Sequence, residues 1–168
     1  MDNKHCICKK PAKVFFTHLS PLCRQCFALL LRRRVRKAIR DHGWLKPGQK
    51  VFIDGKGALP ILFKSAVTGL PLKYVTKTKA EVIIVGKTAD DEAVEFLEQL
   101  FSGKTAGKTK ALNIFSNITT KELEKYCELE GIKQAALPKS SLRKALESLD
   151  DKYPGIMFAL QKSRRSMQ

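Results

Sequence analysis

The sequence predicts an α/β protein with a mostly parallel sheet, preceded by a small metal-binding knuckle and a basic helix. Strand-length apolar runs alternate with helical patterns, potential metal ligands precede the first long helix, and positive charge is concentrated in the first fifty residues. Strands that alternate with helices form right-handed units with parallel strands. A chain of 168 residues with 43% hydrophobic content can bury the core of one such domain.

Positive charge is distributed unevenly along the chain. Of the net charge of +16, the first fifty residues supply +11, because thirteen Lys or Arg residues stand against Asp2 and Asp41; the rest supply +5. Such an excess favours a polyanionic partner, either nucleic acid or an anionic membrane surface. No apolar run approaches the ~20 residues of a membrane helix, and the first residues lack the apolar core of a signal peptide. We therefore expect a soluble, cytoplasmic protein. Charge alone does not choose between the two partners, and we predict nucleic acid and no membrane partner.

Four of the five cysteines lie within the first 26 residues. His5 with Cys8 and Cys23 with Cys26 form two pairs of two-residue spacing, separated by fourteen residues. Two ligands three positions apart converge on one ion, and four complete the closed shell of a structural zinc site. We predict these four residues as zinc ligands, with Cys6 in reserve because CxC spacing can also bind metal. The alternative is a set of buried thiols without metal.

An amphipathic helix is predicted from Cys26 to about Arg40. Its apolar positions recur at spacings of three and four: Phe27, Leu30, Leu31, Val35, Ala38 and Ile39. The opposite face carries five basic residues: Arg32, Arg33, Arg36, Lys37 and Arg40. Guanidinium groups bind phosphate oxygens through paired hydrogen bonds, so we expect this face to contact a nucleic-acid backbone. The alternative is an ordinary solvated face.

The remaining elements follow a linker marked by Gly43 and Pro47. We predict a strand from Lys50, a glycine turn, a helix at 59–67, strands at 72–75, 81–86 and 111–115, and helices at 92–101, 119–130 and 140–150. The apolar run at 81–86 is typical of a strand buried on both faces. The helix at 92–101 carries Ala93, Phe96, Leu97 and Leu100 on one face. Capping boxes at 88–91 and 119–122 begin two of the helices, and Gly103 ends one. A basic, frayed tail is expected from Lys162.

The order of knuckle, basic helix, linker and strand with a glycine turn resembles that of the tRNA 2-thiolation proteins, a PP-loop family. The residues that carry the resemblance are His5, Cys8, Cys23, Cys26, Phe27, Val35, Arg36 and Ile39. The segment from Val85 to Ala93 is similar to the family's GHNxDDxA junction, and that from Lys152 to Ile156 is similar to its YPG segment. The resemblance implies a PP-loop ATPase-like, adenine nucleotide alpha hydrolase-like fold.

The same resemblance implies a lost active site. Active members hold ATP with an SGGxDS loop, whose aligned residues here are Asp54, Gly55, Lys56, Gly57, Ala58 and Leu59. A carboxylate replaces the first serine and the later hydroxyl is lost, so we expect no ATP to bind. The family's catalytic cysteines have no counterparts at 75–79 or 135–138, and we assign no catalytic residue.

These features predict a knuckle and basic helix at 1–43, a degenerate PP-loop-like domain at 48–161 and a tail at 162–168. The resemblance implies a non-catalytic subunit of a tRNA wobble-uridine 2-thiolation complex. Its partners would be tRNA, a catalytic subunit of the same family and a ubiquitin-like sulfur carrier. One alternative is a minimal thiolating or adenylating enzyme that uses Lys56 with Asp90 or Asp91. The other is a zinc-knuckle RNA-binding protein outside thiolation.

Overall fold

A four-stranded parallel sheet forms the centre of the protein. The computed structural model describes residues 5–55, 57–103, 111–133 and 140–166. In chain order the strands are β1 (Lys50–Asp54), β2 (Lys73–Tyr74), β3 (Val82–Val85) and β4 (Ala111–Leu112). Their order across the sheet is β2-β1-β3-β4, and Val51 pairs with both Tyr74 and Val82. From β1 the chain runs to β2 on one side of β1, and from β2 it returns to β3 on the other side of β1. This reversal places a topological switch point between β1 and β3.

Six α-helices accompany the sheet in the described ranges: α1 (Arg24–His42), α2 (Ala58–Ala66), α3 (Ala89–Ser102), α4 (Thr120–Glu130), α5 (Ser141–Lys152) and α6 (Ile156–Ser166). A short 3-10 helix spans Lys77–Lys79. Both predicted capping boxes form, Thr88 with Asp91 at α3 and Thr119 with Glu122 at α4. Gly103 ends α3 in the left-handed conformation that glycine adopts without steric cost.

Helix α1 belongs to the main hydrophobic core. Phe27, Leu31 and Val35 are completely buried and share one cluster with Phe63 of α2 and Ile84 of β3. A smaller cluster joins α3, α5 and α6 through buried Ala93, Leu146 and Met157. The basic helix is therefore fixed against the sheet domain by a shared core, although a linker separates the two in sequence.

Several local predictions need correction. The strand predicted at 111–115 ends at Leu112, and the buried residues that follow it lie outside the sheet. In β3 only Ile84 is fully buried, although the strand pairs with β1 on one side and with the two-residue β4 on the other. Leu100 is 48% exposed rather than part of the apolar face of α3. The region predicted as a frayed tail continues α6 as far as Ser166.

In the ranges described, no helix combines the length and apolar character needed to cross a bilayer.

Candidate metal centre and nucleic-acid interface

The first cysteines lie in a tight knuckle. The Cys6 amide donates to the Lys10 carbonyl at 2.9 Å and the Lys9 amide to the Cys6 carbonyl at 2.8 Å, which closes the turn. Lys9 takes a positive φ of 66°, an uncommon conformation for a residue with a side chain. A bridge between Val14 and Leu22 then returns the chain to the start of α1. Two segments separated in sequence are thus brought side by side.

Four sulfur atoms meet where these segments join. Those of Cys6, Cys8, Cys23 and Cys26 all lie within 4.8 Å of one another, and the Cys8 and Cys23 sulfurs are 3.5 Å apart. Thiolates bound to one tetrahedral zinc at ~2.3 Å stand roughly 3.8 Å from each other. In a 4Fe-4S cluster each thiolate binds a different iron atom, which requires wider spacing. The arrangement therefore fits a single metal ion.

The electrostatics of the four thiols also favour a cation. Burial disfavours ionisation of Cys6, but hydrogen bonds from the backbones of Cys8 and Cys23 lower the pKa of Cys6 to about 6. Hydrogen bonds to Cys6, Cys8 and Cys23 raise the pKa of Cys26 to about 12. One thiol thus keeps its proton for a neighbouring thiolate. A bound dication would compensate the repulsion among the thiolates and let all four sulfurs act as ligands.

The position of His5 differs from its predicted role. His5 is exposed and forms a backbone bridge with Pro11, while the sulfur group contains Cys6, the reserve ligand. The other three residues predicted as ligands, Cys8, Cys23 and Cys26, belong to the sulfur group. Among the described residues, the structure therefore assembles a four-sulfur set that includes Cys6 rather than a set with one histidine.

The basic face of α1 is accessible in part. Arg33, Arg36, Lys37 and Arg40 are exposed, whereas Arg32 is half-buried beside Tyr126. The Nε of Arg36 donates to the Ala66 carbonyl at 2.6 Å, at the end of α2. Arg36 thus has a structural contact in addition to its exposed charge.

Arg34 has a role that periodicity did not identify. It donates to both carboxylate oxygens of Glu122 at 2.8 Å and to the Asn117 carbonyl at 3.1 Å. The Glu122 carboxylate is completely buried, and the His18 Nε2 lies 3.0 Å from it. This network joins the cysteine segment (residues 5–23), which contains His18, to α1 and α4. The capping-box spacing of Glu122 indicated its local contact but gave no signal of the distant ones.

The loop after β1 lies at the switch point, the usual ligand position in an open α/β sheet. A Cβ on Gly86 would meet the Leu59 Cδ1 at 3.0 Å and the Gly55 Cα at 3.3 Å. The chain segments after β1 and β3 therefore touch with no space for a side chain. Asp54 is exposed beside Lys77, its carboxylate 3.6 Å from the Lys77 Nζ. Lys56 lies outside the described residues.

The structure is similar to a solved tRNA-modifying enzyme. It matches the U34-tRNA thiolase NcsA from Methanococcus maripaludis with its 4Fe-4S cluster, with a TM-score of 0.76 and 16% sequence identity. The match covers 99% of this chain and 88% of that one. No protein-family model and no curated protein matches the sequence. The likeness confirms the predicted PP-loop-like α/β fold.

Asp90 and Asp91, the acids of the alternative enzyme, have structural partners. The Asp90 carboxylate accepts a hydrogen bond from the Thr120 amide at 2.6 Å and so caps α4. Burial raises the pKa of Asp90. Asp91 closes the capping box at Thr88 and forms an ion pair with the buried Arg143. Both carboxylates therefore join α3 to neighbouring elements.

The remaining motifs are the YPG segment and the two segments compared with catalytic positions, 75–79 and 135–138. The YPG segment forms the turn between α5 and α6, where Gly155 has a φ of 96° and its amide donates to the Asp150 carboxylate at 3.0 Å. Residues 75–79 follow β2 and are mostly exposed. Residues 135–138, the other segment compared with a catalytic position, lie outside the described ranges.

Proposed function

We propose that this chain is a non-catalytic subunit of a tRNA wobble-uridine 2-thiolation complex, similar to cytoplasmic tRNA 2-thiolation protein 2. The observation that carries the proposal is a thiolase-like fold whose switch-point segment reads DGKGAL and packs Leu59 close to Gly86. The fold supports common ancestry with thiolases, and the loop argues against ATP chemistry on this chain.

The loop is chemically unsuited to a pyrophosphate. An SGGxDS loop offers backbone amides and hydroxyls to phosphate oxygens, whereas Ala58 and Leu59 supply no hydroxyl and are both buried. The exposed Asp54 carboxylate adds negative charge at the entrance. A carboxylate next to the loop repels the negative charge of a phosphate ligand. Gly55 and Gly57 are then retained glycines of the strand-to-helix connection.

The cysteine group would hold a structural zinc ion. Cys6, Cys8, Cys23 and Cys26 would complete its tetrahedral shell, and a closed shell leaves no position for substrate. Zinc in such a site supplies folding energy and fixes the start of α1, where Cys23 is the N-cap. The thiolase neighbour carries a 4Fe-4S cluster. Here four of the five cysteines are committed to the compact group, and the fifth, Cys127, is buried.

Helix α1 would bind the tRNA backbone. Arg33 and Lys37 are both exposed and lie about one turn apart on α1. Contacts from such residues to phosphates fix the position of the RNA without reading its sequence. The complex would be cytoplasmic, with a catalytic PP-loop subunit using ATP and a ubiquitin-like carrier delivering sulfur.

The decisive experiment is deletion of the gene in its source organism, followed by nucleoside mass spectrometry of bulk tRNA. Loss of wobble 2-thiouridine that is restored by the intact chain would support the proposal. Rescue should fail with Cys8→Ser and succeed with Cys127→Ser, its matched control outside the sulfur group. Unchanged 2-thiouridine would refute a thiolation role and favour the RNA-binding alternative.

A second measurement distinguishes the partner subunit from a minimal enzyme. Isothermal titration of the purified chain with Mg-ATP should give no heat of binding. Measurable binding of Mg-ATP would contradict the non-catalytic assignment.

A further inference from the structure

We propose that Tyr74, with Lys64 and the lysines that follow β2, forms a stacking site for an unpaired RNA base. The proposal rests on the proposed function, because it assumes that RNA is the polyanionic partner, and it adds a second contact surface to α1. An aromatic ring beside cationic side chains is the usual platform for single-stranded nucleic acid.

Tyr74 is held in place and yet accessible. Its side chain lies on the edge strand β2 and the residue is 47% exposed. The ring of Phe63 contacts it edge-on, with centroids 6.4 Å apart and planes at 86°. The Lys64 Nζ lies 5.1 Å from the ring centroid, within range of a cation–π interaction. A ring fixed by such contacts loses little conformational freedom when a base stacks on it.

The surrounding segment is positively charged. Residues 73–79 read KYVTKTK, and Lys73, Lys77 and Lys79 are exposed. The nearby acids offset this charge in part: Asp54 pairs with Lys77 at 3.6 Å, and Glu81 accepts from the Lys50 amide at 3.3 Å. The lysines still outnumber these acids, so the surface attracts phosphates next to the ring.

Helix α2 contacts both the basic helix α1 and the Tyr74 ring. Arg36 donates to the Ala66 carbonyl at the end of α2, and Lys64 lies in the last turn of the same helix. Lys64 in turn contacts Tyr74. One RNA molecule could therefore contact α1 through its phosphates and Tyr74 through a base.

A second explanation exists for the lysines. In the described part of the chain no strand borders the outer side of β2, and lysines on an edge strand prevent pairing with other molecules. That role requires no accessible aromatic ring. Tyr74 therefore distinguishes a stacking site from simple protection of the edge.

The test uses a single-stranded RNA oligonucleotide that contains one 2-aminopurine, whose fluorescence is quenched by stacking. Titration with the full chain should quench it, and Tyr74→Ala should weaken binding about 5- to 150-fold, as expected for one stacked base. Tyr74→Phe should bind like the wild type, because the ring is retained. Tyr153→Ala removes another exposed tyrosine, between α5 and α6, and is the matched control.

Equal affinities for Tyr74→Ala, Tyr153→Ala and the wild type would overturn the stacking site, as would an equal loss in Tyr74→Phe and Tyr74→Ala. A Lys73→Ala variant that becomes dimeric by light scattering, together with normal RNA binding by Tyr74→Ala, would overturn the stacking site and assign the segment to edge protection. This outcome leaves the thiolation proposal intact, since that proposal is tested separately by 2-thiouridine. Ring-dependent RNA binding without any change of 2-thiouridine on deletion would sustain the stacking site and remove the thiolation role.

Discussion

Replacement of the buried Glu122 should destabilise the protein more than any exposed charge substitution on the same helix. Both carboxylate oxygens are within 2.8 Å of the Arg34 guanidinium, one is 3.0 Å from His18, and one accepts from the Thr119 amide at 3.0 Å. Glu122→Ala leaves Arg34 without its carboxylate partner in a largely buried position. Loss of one member of a buried ion pair costs about 3–5 kcal/mol.

Glu122→Gln should have a smaller effect, because glutamine retains the capping-box acceptor. The expected cost is about 1.5–3 kcal/mol, the contribution of a hydrogen bond to a charged group. Glu128→Ala is the matched control on α4, since its side chain is 65% exposed and pairs with Lys125. An exposed pair of this kind contributes less than about 1 kcal/mol.

Urea unfolding followed by the fluorescence of Trp44, the single tryptophan, provides the assay. Trp44 packs against the main core, so its emission reports loss of that core. In a chain of this size each 1 kcal/mol corresponds to roughly 2–4 °C in melting temperature. Equal stability of Glu122→Ala and Glu128→Ala would refute the argument that the network joins the cysteine segment, α1 and α4.

Three further predictions concern the metal, pH and RNA. Cys8→Ser should lower the zinc content measured by mass spectrometry from one per chain to near zero, whereas Cys127→Ser should retain it; a visible iron–sulfur absorption in the wild type would contradict a mononuclear site. Burial raises the pKa of Asp90 above its unfolded value, so its contribution to stability is present below about pH 3.9 and is lost as pH rises through the folded pKa. Asp90→Asn should therefore flatten this part of the stability profile, and an unchanged slope would argue against the buried carboxyl. Replacing Arg33 and Lys37 by alanine should reduce the slope of log affinity for tRNA against log salt by about 2, and an unchanged slope would remove α1 from the interface.

Local sequence signals predicted much of the fold. The capping boxes at Thr88 and Thr119 begin helices because their hydrogen bonds join residues only three positions apart. The apolar spacing of α1 indicated its buried face, including Phe27 and Val35. The helical end of the chain was missed, since the basic residues after Lys162 obscured a pattern that continues α6 to Ser166.

The four-sulfur group contains three of the four predicted ligands, and its metal stays a prediction. Ligand spacing indicated a site formed by two segments and included Cys8, Cys23 and Cys26. The choice between His5 and Cys6 depended on the direction of the chain in the knuckle, which the Cys6–Lys10 and Lys9–Cys6 hydrogen bonds set. Sequence spacing alone does not give that direction.

The sequence by itself determined the α/β class, the helix starts, the cysteine-rich corner and the concentration of positive charge, because each depends on composition or on contacts between near neighbours. Only the tertiary structure decided how distant segments meet. It placed Leu59 against Gly86, joined Arg34 to Glu122 and set Lys64 over Tyr74. Leu59 and Gly86 are 27 residues apart in sequence, and Arg34 and Glu122 are 88 residues apart. Packing of whole elements, rather than local pattern, brings such pairs into contact.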